Sequence, residues 1–383
     1  MTLALTIALI VLLCLVTLWW ALRFLPAGAD GHGPLPYLIA FVRFLWIPSL
    51  IILLVALASR HWAIAVAAAI LAGLIGLFAS PWYRKWCNNK GTKHDERPST
   101  TTADTTTVEA TDITVMTLNC RYGHASADAI VEAVRAHNVS VLALQELTTG
   151  LVERLEAAGL ATLLPNRQLG VSRKGDNGGF NGVWSREAFA AQTSSAIDIQ
   201  AADVPGVVVR DIAFYSAHPK SPMRGCREWS HGIRKLGELA NQNGLAAEPV
   251  SSMTSNTKTE RDRDASMSMQ ERTGTATIEP NVPTAAVAKA MPSSVPTRAT
   301  VIMGDLNSNA DHPSFRSLLK SGLNDAGLAV SHESASSFPT WLRWPRLELD
   351  HVLTTPAITA TQARILAIPG SDHFALLANL KVR

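Results

Sequence analysis

Residues 3–23, roughly 36–59 and roughly 61–82 are apolar stretches. Each approaches the ~20 residues with which a helix crosses a ~30 Å hydrocarbon core. Backbone polar groups in hydrocarbon must be satisfied within their own segment, so these stretches commit the front of the chain to helices. The first has neither a basic start nor a small-residue cleavage site, and two more follow it, which argues for an anchor over a removed signal peptide. Trp19, Trp20, Trp46, Trp62, Trp82 and Tyr83 sit mostly toward the ends of the runs, where amphipathic rings favour the headgroup zone. Arg43 alone lies well inside a run, where snorkelling or a shifted helix start accommodates it.

Three spans put the termini on opposite sides of a membrane. Arg23 falls in the first loop and Arg60 in the second, while Arg84, Lys85, Lys90, Lys93 and Arg97 follow the third. Positive-inside counting therefore leans toward a cytoplasmic C-terminal domain. The Thr-rich stretch at 98–114 points the other way, because such tethers are more usual on exposed stalks. The implied organisation is an anchor over 1–84, a polar linker over 85–112 and a globular domain over 113–383.

A net charge of +3 gives that domain no basic field of the kind that steers nucleic acid. Cys14, Cys87, Cys120 and Cys226 lack the spacing of a zinc knuckle. Cys120 and Cys226 are either two buried thiols or, in an extracytoplasmic domain, a disulfide.

From Ile113 apolar runs alternate with polar ends. Val115–Leu118 reads as a strand ending at Asn119. Residues 126–137 have helical spacing, and Val139–Leu144 is a strand ending at Gln145 and Glu146. Residues 207–217 hold a strand pair or a bent strand ending at His218, and a helix is expected over 228–243. Residues 244–298 have no sustained period and few large apolar side chains, and are expected to be a disordered insertion. The run from Thr300 stops at Gly304-Asp305-Leu306-Asn307, where i and i+2 spacing puts Asp305 and Asn307 on one face. Taken alone this is also ordinary turn chemistry. Further polar groups follow at Asp350, Asp372 and His373.

Such ends gather along one edge of a layered sheet structure. Carboxylates with carboxamide help make a hard-oxygen site for Mg²⁺ or Mn²⁺. Histidines add proton transfer and phosphate donation, and the set suits attack of water on phosphorus.

Six motifs occur in order: Thr117-Leu118-Asn119, Leu144-Gln145-Glu146, Ser216-Ala217-His218-Pro219, Gly304-Asp305-Leu306-Asn307, Leu349-Asp350-His351 and Ser371-Asp372-His373. On these the domain from about 113 resembles the endonuclease/exonuclease/phosphatase superfamily of metal-dependent phosphoesterases. The resemblance implies an α+β fold, a four-layer sandwich of two mostly antiparallel sheets flanked by helices, here preceded by three transmembrane helices. It implies that Glu146 is the principal metal ligand, with Asn119 and Asp372 near the metal. His373, oriented by Asp350, is the general base or the imidazole that stabilises phosphate. Asp305 positions or deprotonates the water, Asn307 holds a phosphate oxygen, and His218 donates to the phosphate or leaving group. Arg121, Arg186 and Arg224 are candidate grips on substrate phosphate, each also readable as a solvated loop arginine. His351 reads as a structural neighbour of Asp350, and His124, His137, His231, His312 and His332 as surface residues.

The superfamily includes nucleases, inositol-phosphate phosphatases and sphingomyelinases. The segments Pro34–Ala40 and Phe44–Pro48 resemble membrane-anchored bacterial members, some associated with glycopeptide resistance and envelope lipid phosphates, whose catalytic domain faces outward. The implied partners are membrane lipids and a phosphorylated small molecule, lipid phosphate or nucleic acid. Three readings follow: a membrane-held phosphoesterase, an extracytoplasmic nuclease, or a tethered binding module without turnover.

Overall fold

The computed structural model describes residues 2–80, 112–171, 179–242, 244–246, 294–330 and 335–382. The expected linker lies almost wholly outside these residues, as do His332 and most of the expected insertion.

The apolar front forms α1 (Thr2–Ala21), α2 (Leu35–Ala40), α3 (Trp46–Ala58) and α4 (Trp62–Ala79). Among the described residues two stretches, Leu3–Phe24 and Trp62–Ala79, are long and apolar enough to cross a membrane. The middle one differs from expectation. It is broken at Phe41–Leu45 by a 3₁₀ turn, and its longer helical piece, Val42–Ala58, falls short of a span. The break has a polar cause. Arg43 bonds Asp311 at 3.2 Å and Glu348 at 3.3 Å, so it is committed to the globular domain and does not snorkel. Two unpaired carboxylates left there would be costly. Arg23 joins the same Asp311 at 3.3 Å. Asp30 accepts from the Ser314 backbone N–H at 2.8 Å and from the Ser314 hydroxyl. Residues 23–44 are thereby packed against the domain. His312 belongs to this seam. It is buried, with Nε2 2.8 Å from the Pro36 carbonyl, and is not the surface residue its sequence neighbours suggested.

The domain begins with β1 (Asp112–Asn119), α5 (Ala127–Ala136), β2 (Val141–Leu147), α6 (Thr149–Ala157), β3 (Asn166–Leu169) and β4 (Phe180–Ser185). It continues with β5 (Ala191–Thr193), β6 (Gly206–Val209), β7 (Ile212–Ser216) and α7 (Cys226–Lys235). Then come β8 (Gly244–Ala246), β9 (Ser294–Pro296), β10 (Ala299–Asp305), α8 (Pro313–Leu319), β11 (Asn324–Asp325), β12 (Asp350–Thr354), β13 (Ile358–Ala367) and β14 (Phe374–Val382). One sheet runs β13-β14-β1-β2-β4-β3 and the other β11-β12-β10-β7-β6-β5, with β8 and β9 paired separately across the ends of the expected insertion.

Apolar faces explain the layering. Val115, Val141 and Leu376 of one sheet meet Phe214, Val301 and Val352 of the other in a shared core. The outer faces are covered by α5 and α6, through Ile130 and Leu151, and by α7 and α8, through Trp229 and Phe315. α5 has the start its sequence signals, because Ser126 accepts from the Ala129 N–H. Four layers result, helix on sheet on sheet on helix. Both sheets are mixed, since β1 runs parallel to β2 and β7 to β10. Cys120 and Cys226 are free thiols on different outer layers.

A candidate metal-dependent phosphoester site

Strand direction gathers the polar residues. The C-terminal ends of β1, β2, β7 and β10 lie at one edge, and the antiparallel strands β12 and β14 start there, with Asp350 directly opposite Asp305. Each apolar run thus leaves its last or first polar residue at the same place.

Asp305 is the hub. It is 1% exposed, and its Oδ2 accepts from Asn119 Nδ2 at 3.0 Å and from Asn307 Nδ2 at 3.4 Å. The same oxygen lies 3.6 Å from His218 Nε2 and 3.7 Å from His373 Nε2. Its other oxygen accepts from the Asn307 N–H at 2.8 Å, which turns Asn307 back over the site at φ 49°. Gly304 permits this packing. A Cβ there would fall on the Ala217 carbonyl, so only glycine lets β10 run so close to the chain entering His218.

Glu146 occupies the opposite wall. The β2–β4 register shifts between Leu144 and Leu147, and Glu146 itself takes φ 53°, a conformation non-glycine residues adopt at a cost of order 1 kcal/mol or more. The bulge separates two neighbours. Gln145 turns between the sheets to bond Ser216 and Thr117, while Glu146 reaches over the strand ends. Its carboxylate accepts from Asn119 Nδ2 at 3.2 Å and from the Tyr122 N–H at 3.0 Å, with His218 at 3.8 Å. Burial raises its pKa above the ordinary carboxylate value, against the pull of His218 and Asn119.

His373 donates from Nδ1 to Asp350 Oδ2 at 2.7 Å. Burial acts to lower its pKa, but the Asp350 and Asp305 carboxylates prevail and raise it to about 10. Ser371 accepts from the His373 N–H at 3.0 Å and donates to the Asn119 carbonyl at 2.7 Å. Ser337 accepts from the Asp350 N–H at 3.2 Å.

The other expected residues are placed unevenly. Asp372 is on the rim, with Arg121 at 3.8 Å, and Arg224 donates to the Tyr122 hydroxyl at 2.7 Å nearby. Arg186 is elsewhere. It follows Ser185, which pairs with Val141 at the start of β2, and it bonds Asn138 and Val139, about 17 Å along the strand from Glu146. His351 turns away to Asp325 and the Ser308 carbonyl. Tyr122, Ser337 and Ser371 were not singled out as site residues. Only Ser371 carried a signal, its place inside the last motif.

The donor set fits a hard divalent cation. Glu146 and Asp305 offer carboxylate oxygens that share the Asn119 Nδ2 donor, and Asp305, Asp350 and His373 bring ligand atoms within 4.8 Å of one another. The second oxygen of Asp350 is buried without a hydrogen-bond partner. Acidic groups crowded out of water favour a cation among them.

Carboxylates, carboxamides and two histidines thus share one edge of a two-sheet sandwich. The chain belongs to the endonuclease/exonuclease/phosphatase family, whose sequence profile matches residues 116–373. Members of this family generally hydrolyse phosphoester bonds and depend on a divalent metal. Among solved structures the chain is similar to D. rerio TDP2 humanized by 14 mutations, at 14% identity and TM-score 0.47, over 70% of this chain and 98% of that one. D. rerio TDP2 complexed with single strand DNA product gives 12% identity and TM-score 0.46, over 70% and 99%. An endonuclease/exonuclease/phosphatase from Beutenbergia cavernae gives 15% and 0.45, over 71% and 72%. No curated protein matches the sequence.

Proposed function

We propose that this chain is a membrane-anchored, Mg²⁺- or Mn²⁺-dependent phosphoesterase that hydrolyses a phosphate ester, phosphodiester or diphosphate by attack of water. The observation that carries this reading is the buried Asp305 carboxylate, set among Asn119, Asn307, His218 and His373. Glu146 would be the principal ligand of the metal, with Asn119 and Asp372 near it. When bound, the metal supplies positive charge to the phosphoryl oxygens and lowers the pKa of its water.

Asp305 orients the attacking water and takes its proton, because it lies at the centre of the polar cluster with its oxygens fixed by three N–H donors. With Asp305 taking the water's proton, His373 serves as the imidazole that donates from Nε2 to a phosphate oxygen, its ring held by Asp350 at Nδ1. His218 and Asn307 donate to the phosphate or leaving group. Arg121 and Arg224 at the rim draw in the anion.

The anchor comprises α1 and α4, with the short α3 beside them, and the +3 charge supports a lipid or small-molecule phosphate over DNA. The domain faces the side on which α1 ends and α4 ends, since residues 23–44 pack against it, and the reading places that side outside the cytoplasm. Full-length protein in nanodiscs is assayed on a lipid phosphate, a soluble phosphodiester and plasmid DNA, with and without Mn²⁺. Metal-dependent turnover lost in Glu146→Ala supports the reading. Equal turnover in Glu146→Ala, or none on any substrate, sinks it. Asp305→Ala is expected to abolish turnover with much of the Mn²⁺ affinity kept, while Glu146→Ala weakens that affinity directly.

A further inference from the structure

The segment Trp341-Leu342-Arg343-Trp344 is out of character for a domain surface. Trp341 is 65% exposed, Leu342 40% and Trp344 57%, and Arg343 stands between them with its side chain in solvent. Contiguous apolar groups of this size, rimmed by cations, mark a surface that is covered in use.

Two sets of contacts say what covers it. On one side the segment reaches the site. Trp341 packs edge-on to Phe338 at 5.7 Å, and Phe338 lies 4.8 Å from the His373 ring. The Thr340 N–H donates to the Asp372 carbonyl at 2.9 Å. On the other side Trp344 packs edge-on to Phe44 at 5.5 Å. Between them opens a cleft of about 360 Å³ whose lining includes Arg43, Trp46, Ala79, Arg343, Trp344 and Arg346. Trp46 is the first residue of α3 and Ala79 the last of α4. The loop therefore stands level with the ends of the apolar helices, the depth at which indole rings favour the headgroup zone. Arg346 is held over the Phe374 ring at 4.6 Å, so the surface offers cations where lipid phosphates lie. The ion pairs of Arg23 and Arg43 and the bonds of Asp30 fix the height of the domain against the helix ends.

We propose that residues 340–346 form an interfacial lip, seated in the headgroups of the bilayer that holds the helices, which passes a phosphate-bearing lipid sideways into the site. The lip rests on the membrane-anchored phosphoesterase reading above, and it deepens it to a lipid substrate. A lipid reaching Asp305 this way keeps its chains in the membrane while its phosphate passes between Arg343 and Arg121.

The test uses the full chain in vesicles of phosphatidylcholine and phosphatidylglycerol carrying brominated acyl chains. Trp341→Phe and Trp344→Phe each remove one indole and keep the apolar contact. The lip is supported if bromolipid quenches less emission in each variant than in the wild type. It is overturned if the quenched emission is the same in all three, since those indoles then stand in water or against a protein. In a second arm Leu342→Ser/Trp344→Ser is assayed on a bilayer-borne lipid phosphate and on a soluble phosphodiester. The ratio of lipid to soluble turnover is expected to fall about tenfold, and an unchanged ratio overturns the proposal. Wild type with quenched indoles but no turnover would end the phosphoesterase reading and leave the lip standing. Failure to float with the vesicles would end both.

Discussion

Two histidine–aspartate pairs lie back to back on β12. His373 reaches Asp350 at 2.7 Å and His351 reaches Asp325 at 2.6 Å. All four side chains are buried and both histidines are shifted upward from the ordinary value. They differ in the far nitrogen. Nε2 of His373 faces the Asp305 carboxylate across 3.7 Å, whereas Nε2 of His351 is spent on the Ser308 carbonyl at 2.8 Å and its ring lies 4.4 Å from Phe315. Asp350 and His351 are consecutive on a strand, so they point to opposite faces, one to the site and one to the helical layer. The pair proposed as catalytic and the structural pair share their chemistry, and the far nitrogen separates them.

The sharpest way to break this contrast is to exchange the substitutions. His373→Gln is expected to lower kcat/KM of the folded molecule by about 10²–10⁴-fold, beyond any loss of stability from weakening the Asp350 pair. A midpoint that collapses while the surviving folded protein stays fully active would reverse the assignment. His351→Ala leaves Asp325 buried without its partner and is expected to cost about 3–5 kcal/mol of stability. Denaturation of the detergent-solubilised chain measures it, with activity per folded molecule retained.

The two pairs also predict a pH response of definite sign. A histidine raised above its ordinary 6.5 in the folded state contributes stability that is fully present below 6.5 and is lost as pH rises through the folded value. For His373 that window closes at about 10. With metal chelated, the wild type should lose a few kcal/mol between these limits, and His373→Gln should remove part of the slope. A flat profile in the wild type would show that neither carboxylate holds its histidine charged.

The smallest effects are expected outside both pairs. Arg121→Ala removes an exposed rim charge and should raise KM about two- to fivefold. Arg186→Ala should leave kcat/KM alone, because its partners are at the far end of β2. Initial rates across a substrate series distinguish the two.

Much of the site was legible because each strand advertises its end. An apolar run that stops at Asn119, Glu146, His218 or Asp305 places a polar group at a sheet edge, and a sandwich has few edges on which to gather them. Which arginine joins them was not legible, since Arg121 and Arg186 are each one or two residues past a strand and only the register says at which end. Nor was the bulge that turns Glu146 outward and Gln145 inward. The middle apolar stretch was misread for a related reason. Hydropathy averages over Arg43, while the carboxylates that claim it, Asp311 and Glu348, are more than 260 residues away in the chain.

The sequence by itself determined the first and last apolar helices, the strands that end in polar groups and the inventory of carboxylates, carboxamides and histidines, because these follow from local periodicity and residue chemistry. The tertiary structure decided which histidine keeps a free nitrogen, which arginines flank the site and how the anchor meets the domain. Those outcomes depend on groups far apart in the chain becoming neighbours, and a contact formed by packing leaves no mark at either position alone.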